Sequence, residues 1–238
     1  MVYIKQTAIS VELVDLMGSD LTVVNAARVS MAKESAWEFH PVSSDLFGEV
    51  HEQFLKDEDA RLIRYLAKHN HWTPFSHPQL QFRIKAPIFV ARQWFKHMAG
   101  ITRNETSRRY VDDEPEFYRL VWRLRAESVK QGSAGVAPYD IRLQADVIYD
   151  RVMSECLRAY CDLLELNIAP EQARAVVPQN MMTEWIETAS LAAVCRACSL
   201  RLDPHAQQET SIVAEKIAAM MSDLFPVSFA ALMGASNG

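Results

Sequence analysis

Apolar and polar positions alternate along Leu80-Gln-Phe-Arg-Ile-Lys-Ala86, the period of a strand with one buried face. Pro87 follows, and a proline loses nothing in a first helical turn, where its missing N–H would have no partner. The period then lengthens: Ile88, Ala91, Trp94 and Phe95 share one face of a helix over residues 88–97. Upstream, the apolar run 12–17 continues a short N-terminal strand. In the turn Gly18-Ser-Asp20, Ser19 or Asp20 can cap a helix over 21–29. Leu62, Ile63 and Leu66 stripe another helix over 59–68, which His69-Asn-His-Trp-Thr-Pro-Phe75 breaks.

The later pattern is helical. Helices are predicted over 139–166, 170–177, 182–200 and 205–224, with Pro170 opening the second and Pro226 stopping the last. Residues 33–41 and 130–138 read as loops, Gln131-Gly-Ser-Ala-Gly135 being the strongest breaker. No repeat or Gly/Ser linker divides the chain. The pattern predicts one α+β domain over residues 1–238, with a mixed or antiparallel sheet in the first half packed with long helices.

Composition narrows the function classes. At 238 residues, 49% hydrophobic and 23% charged, the chain can bury a core without disulfides or metal. No apolar run approaches a membrane span, and the first residues lack the plan of a signal peptide. With only four cysteines, a reducing cytoplasm is expected. The net charge of −5 argues against a nucleic-acid coat. Yet residues 83–109 hold seven bases against Glu105 alone, a local charge of +6 that leaves −11 elsewhere. A cationic segment in an acidic chain points to a small anionic ligand, with scattered surface ion pairs as the alternative.

Chemical motifs are few. Cys195-Arg-Ala-Cys198 has no second pair and lies mid-helix, so a structural role is expected; Cys156 and Cys161 read as core thiols. His69, His71 and His77 lack a carboxylate partner at ligand spacing, so no metal is expected. Nucleotide-binding glycine loops and the serine-hydrolase elbow are absent. The informative stretch runs from Val90 to Tyr110. Arg92 and Lys96 share a helix face, and a polar loop then presents Glu105, Ser107, Arg108 and Arg109. Guanidinium forks match phosphate oxygens, a serine adds a neutral donor, and a carboxylate can accept from sugar hydroxyls or a ring N–H. The set suits a nucleoside monophosphate; an exposed ion-paired loop is the alternative.

This stretch resembles the signature of the flavin-dependent thymidylate synthases, Arg-His-Arg, seven or eight residues, then Ser. Here it reads Lys96-His97-Met98, eight residues, then Ser107. Further blocks resemble the family in the family's order. They include Val11-Glu-Leu-Val-Asp-Leu-Met-Gly18, Ala26-Ala-Arg-Val-Ser30, Thr73-Pro-Phe-Ser-His77 and Ala86-Pro-Ile-Phe-Val-Ala-Arg-Gln-Trp94. Ala173-Arg-Ala-Val-Val-Pro178 and Leu200-Arg-Leu-Asp-Pro-His-Ala-Gln207 complete the set.

The resemblance implies the family's fold, and reductive methylation of dUMP to dTMP with FAD, methylenetetrahydrofolate and NADPH. It implies a homotetramer with sites built at subunit contacts. By position, Gln93, Lys96, Glu105, Ser107, Arg108, Arg109 and Arg174 would hold dUMP, and Arg201 would favour the ionised uracil. His77, Gln79, Lys96, His97, Met98 and Glu105 would lie near flavin or folate; Ser190, Ala192 and Arg196 match a flavin-contact segment. Lys96 loses the guanidinium fork, Met98 also the charge, and Ala192 cannot donate; Arg103 and Arg196 are extra cations placed to compensate. Two alternatives on the same fold are a dUMP hydroxymethylase, in which water traps the methylene, and a non-catalytic nucleotide- or RNA-binding homologue.

Overall fold

The computed structural model describes residues 5–45, 48–127 and 132–235. Leu80, Phe82, Ile84 and Ala86 are fully buried, as their alternation requires. The order is β1 (Ser10–Met17), α1 (Asp20–Arg28), β2 (Glu38–Asp45), β3 (Gly48–Phe54), α2 (Asp57–Lys68), β4 (Gln79–Pro87), α3 (Ile88–Trp94) and β5 (Ile101–Glu105). The second half runs β6 (Arg123–Arg125), β7 (Ser133–Val136), α4 (Tyr139–Glu165), α5 (Pro170–Ala173), β8 (Met182–Ser190), α6 (Leu191–Arg201), α7 (Gln208–Leu224) and α8 (Pro226–Ala235).

The main sheet has the order β1-β4-β8-β5, every pair antiparallel. The buried face of β4, with Trp185 and Ala189 of β8, shares one core with α1, α2, α3, α6 and α7. On the opposite face Arg83 pairs with Glu184 at 2.7 Å and Gln81 donates to Thr188 at 3.1 Å, the one-sided pattern of an antiparallel sheet. A second cluster, Phe117, Tyr149, Met153, Leu157 and Met181, seats α4.

Several expectations change. Residues 182–200 are not one helix: β8 fills the middle of the sheet and α6 begins only at Leu191. Thr183, Trp185, Glu187 and Ala189 alternate inward there, and pairing with β4 on one edge and β5 on the other outweighs helix propensity. The sheet therefore draws a strand from the second half of the chain. The polar loop after α3 contains β5, an edge strand whose outer side needs no apolar pattern. The loop expected over 33–41 enters β2, which pairs with β3 in a separate two-stranded sheet. In 130–138 the described part holds β7, and Gln131 lies outside the described residues. α7 ends at Leu224 before Pro226, as expected, but Pro226 then opens a further helix, α8; Asp20 accepts from the N–H groups of Val227 and Ser228 at 2.9 Å. Cys156 is half-buried and Cys161 exposed, because α4 turns them away from its seat. Among the described residues no helix is long and apolar enough to cross a membrane.

Candidate active site

Three groups of the candidate residues come together. The first joins α3 to the end of α6. The Arg201 Nε–H donates to His97 Nε2 at 3.0 Å, and its Nη2 donates to the Gln93 carbonyl at 3.0 Å. Burial lowers the pKa of Arg201, and no described carboxylate pairs with it. Burial, then Arg201, Arg103 and Arg196, hold His97 down to about 4, so its imidazole is neutral at physiological pH. The Gln93 side chain donates to Gln207 and accepts from Thr210 at 3.3 Å; Gln207 donates to Glu209 at 3.0 Å. Burial opposes a charge on Glu209, yet hydrogen bonds from Arg123 and Gln207 keep its pKa low. This brace of Arg123, Gln207, Glu209 and Thr210 was invisible in the sequence, because its members come from β6 and from the cap and first turn of α7 and show no spacing relative to α3.

The second group lines a cavity of about 630 Å³. Its walls include Ser190 from the end of β8, Ala192 and Arg196 from α6, Ala99 and Gly100 from the turn before β5, and the exposed indole of Trp72. Gly100 has φ +78°, and a Cβ there would stand 3.0 Å from Ser190 Oγ and 3.1 Å from Ala193 Cβ. Glycine thus lets this turn close on the start of α6. Ser190 caps α6 by accepting from the Ala193 N–H at 3.3 Å. Arg196 donates to the Ala99 carbonyl at 2.5 Å, beside Met98, which is 74% exposed. Lys96 is also exposed. Arg103 is turned to the buried Glu187, which also accepts from Trp94 at 3.0 Å and Trp185 at 3.3 Å; the cation facing the cavity is Arg196.

The third group lies beyond β5. Glu105 accepts from Thr183 at 2.7 Å, and Ser107 Oγ accepts from the Arg109 N–H at 3.3 Å. Arg109 reaches the Glu171 carboxylate at 3.4 Å, and Arg174 donates to the Glu171 carbonyl at 3.2 Å, so two exposed guanidiniums flank one residue. Arg108 pairs with Asp113 at 2.8 Å. No hydrogen bond among the described residues links Arg109 or Arg174 to Arg201. His77 lines a separate cavity against α1, and Gln79 donates to the Ser76 carbonyl at 2.8 Å.

The cysteine pair stays structural. Burial pushes the Cys195 thiol well up and that of Cys198 up to about 12. Among the described residues no group of three or more potential metal ligands forms.

A half-buried arginine at the end of α6, a cavity faced by Arg196 and two exposed guanidiniums beside Glu171 are groups that an anionic ligand could engage. The comparisons name the class. Residues 12–227 match the family model described as thymidylate synthase complementing protein. A flavin-dependent thymidylate synthase of Thermosipho melanesiensis is 35% identical over 220 residues, 91% of this chain and 87% of the relative. One from Thermus thermophilus is 38% identical over 222 residues, 93% of this chain and 74% of the relative. The UMP/dUMP methylase PolB from Streptomyces cacaoi, solved with 5-Br dUMP, superposes with a TM-score of 0.81 at 31% identity, covering 98% of this chain and 97% of that one. The chain belongs to the flavin-dependent thymidylate synthase family, whose members are methyltransferases.

Proposed function

We propose that this protein converts dUMP to dTMP in the cytoplasm, with FAD as resident cofactor and methylenetetrahydrofolate and NADPH as co-substrates. The observation that carries the reading is Arg201. Its Nε and Nη2 are held on one edge by His97 and Gln93, which leaves the end of the guanidinium for a ligand. A cysteine-dependent route would need a thiolate beside the uracil. Here Cys195 and Cys198 are buried and protonated, and Cys156 and Cys161 lie on α4. Activation falls instead to a fixed cation that stabilises charge on the uracil ring, an electrostatic preorganisation.

The residues around the 630 Å³ cavity fit a flavin: Trp72 and Leu200 offer apolar surface, and Arg196, Ser199 and Asn70 offer polar groups for a ring edge. Once reduced by NADPH, a bound FAD would supply the hydride that turns the one-carbon unit passed from folate to the uracil ring into a methyl group. Arg109 and Arg174 would take the dUMP phosphate. Arg109's present partner is a half-exposed ion pair, worth under ~1 kcal/mol, so redirecting it costs little. Ser107 would add a neutral donor and Glu105 an acceptor. His77, Gln79, Lys96 and Met98 would complete the site from a neighbouring subunit of a homotetramer. Exposed Leu143, Val147 and Ile148 on α4 support assembly, because a contiguous apolar face marks an interface. Light scattering is expected to give a tetramer; an active monomer would contradict the shared site.

FAD titration tests the cofactor. Saturating FAD is expected to quench flavin fluorescence and raise the melting temperature through binding to the folded state. No response, with and without dUMP, would remove the flavin from the reading.

A further inference from the structure

We propose that His97 is the positioning residue for Arg201, a neutral acceptor that fixes the guanidinium's direction without cancelling its charge. Arginine carries five N–H donors and no acceptor, so its orientation is set by whatever receives those bonds. Here the Nε–H goes to His97 Nε2 at 3.0 Å and Nη2 to the Gln93 carbonyl at 3.0 Å, two contacts on one edge. Both acceptors are uncharged. A carboxylate in place of the imidazole would hold the same N–H but form an ion pair, and Arg201 would meet a developing uracil anion as half of a neutral pair.

The imidazole is itself enclosed. His97 is only 8% exposed, and the Trp94 ring meets it edge-on at 5.7 Å. Trp94 is itself pinned, its indole N–H reaching the Glu187 carboxylate at 3.0 Å. The charged groups that act on His97 are Arg201 and Arg196 from α6 and Arg103 from β5, and all three oppose its protonation. The imidazole therefore keeps Nε2 free of a proton and its acceptor role intact at neutral pH. The signature histidine thus turns inward to the α6 arginine, while its neighbours Lys96 and Met98 face solvent.

This inference rests on the assignment of Arg201 to the uracil, and the experiment separates the two. Turnover at saturating dUMP, FAD affinity and melting temperature are measured for His97→Leu, His97→Gln, His97→Glu, Arg201→Lys and the His97→Leu/Arg201→Lys double variant. His97→Leu is expected to lose about 10- to 100-fold in turnover, the scale of a displaced preorganised donor, with FAD affinity unchanged. His97→Gln, whose amide oxygen reaches the same place, should recover most of that loss. His97→Glu should fold at least as stably among three arginines and still lose turnover, because it neutralises Arg201. The double variant should be no slower than Arg201→Lys alone, since the two residues act as a unit. Should His97→Leu misfold, His97→Gln against His97→Glu carries the same comparison. Wild-type turnover in His97→Leu or in His97→Glu, multiplicative losses in the double variant, or a loss of FAD affinity in His97→Gln would each overturn the positioning role. If Arg201→Lys keeps full turnover, the uracil assignment itself falls, and the positioning role falls with it. If Arg201→Lys is slow while the His97 variants are not, only the positioning role falls.

Discussion

Arg201→Lys is expected to fold, to bind FAD, and to lose at least about 10²-fold in turnover, the scale of one preorganised donor. Arg201 closes α6, so a cation there also complements the helix dipole, a contribution of ~0.3–1 kcal/mol that any point charge supplies. Lysine preserves that contribution. It cannot preserve the geometry: one ammonium cannot reproduce a planar edge that bonds His97 and the Gln93 carbonyl at 3.0 Å each and still present further donors. Stability and catalysis therefore separate in this variant. A melting temperature like that of the wild type, with strongly reduced turnover, is the expected pair of readings. Near-wild-type turnover would remove Arg201 from the mechanism.

Arg174→Ala is expected to raise the dUMP KM by an amount equivalent to roughly 1.5–3 kcal/mol, the value of hydrogen bonds to a charged group. Arg174 lies in the short helical turn Arg174–Val176 that follows α5, exposed, with its side chain donating to the Glu171 carbonyl. Its removal leaves the cores intact, so the melting temperature should hold. The neighbouring Arg109 should behave alike, because both guanidiniums flank Glu171. Steady-state kinetics with dUMP as the varied substrate make the test. An unchanged KM would mean that the phosphate is held elsewhere.

What could be read from the sequence follows where the physics is local. The strand at residues 80–86 announces itself because one of its faces is buried and its other face is polar. The helices at α1, α2 and α4 carry their apolar stripes within their own spans. β8 did not announce itself: it lies between two strands, and its buried Glu187 is tolerable only because Arg103, Trp94 and Trp185 converge on it from β5, α3 and β8. β5 and the β2–β3 hairpin were hidden for the opposite reason, since polar edge strands have no apolar signature. The site divides in the same way. The density of bases between Lys96 and Arg109 was visible as charge. The contact of His97 with Arg201 joins residues 104 apart, and the brace from Gln93 through Gln207 to Glu209 and Arg123 exists only once α7 has docked.

The most direct measurement is the mass of the nucleotide formed from dUMP, methylenetetrahydrofolate and NADPH in the presence of FAD. The expected product is heavier than dUMP by one methylene unit and co-chromatographs with dTMP. A product one oxygen heavier than dTMP, or dUMP left unchanged at saturating FAD, would contradict the reductive methylation proposed for this protein.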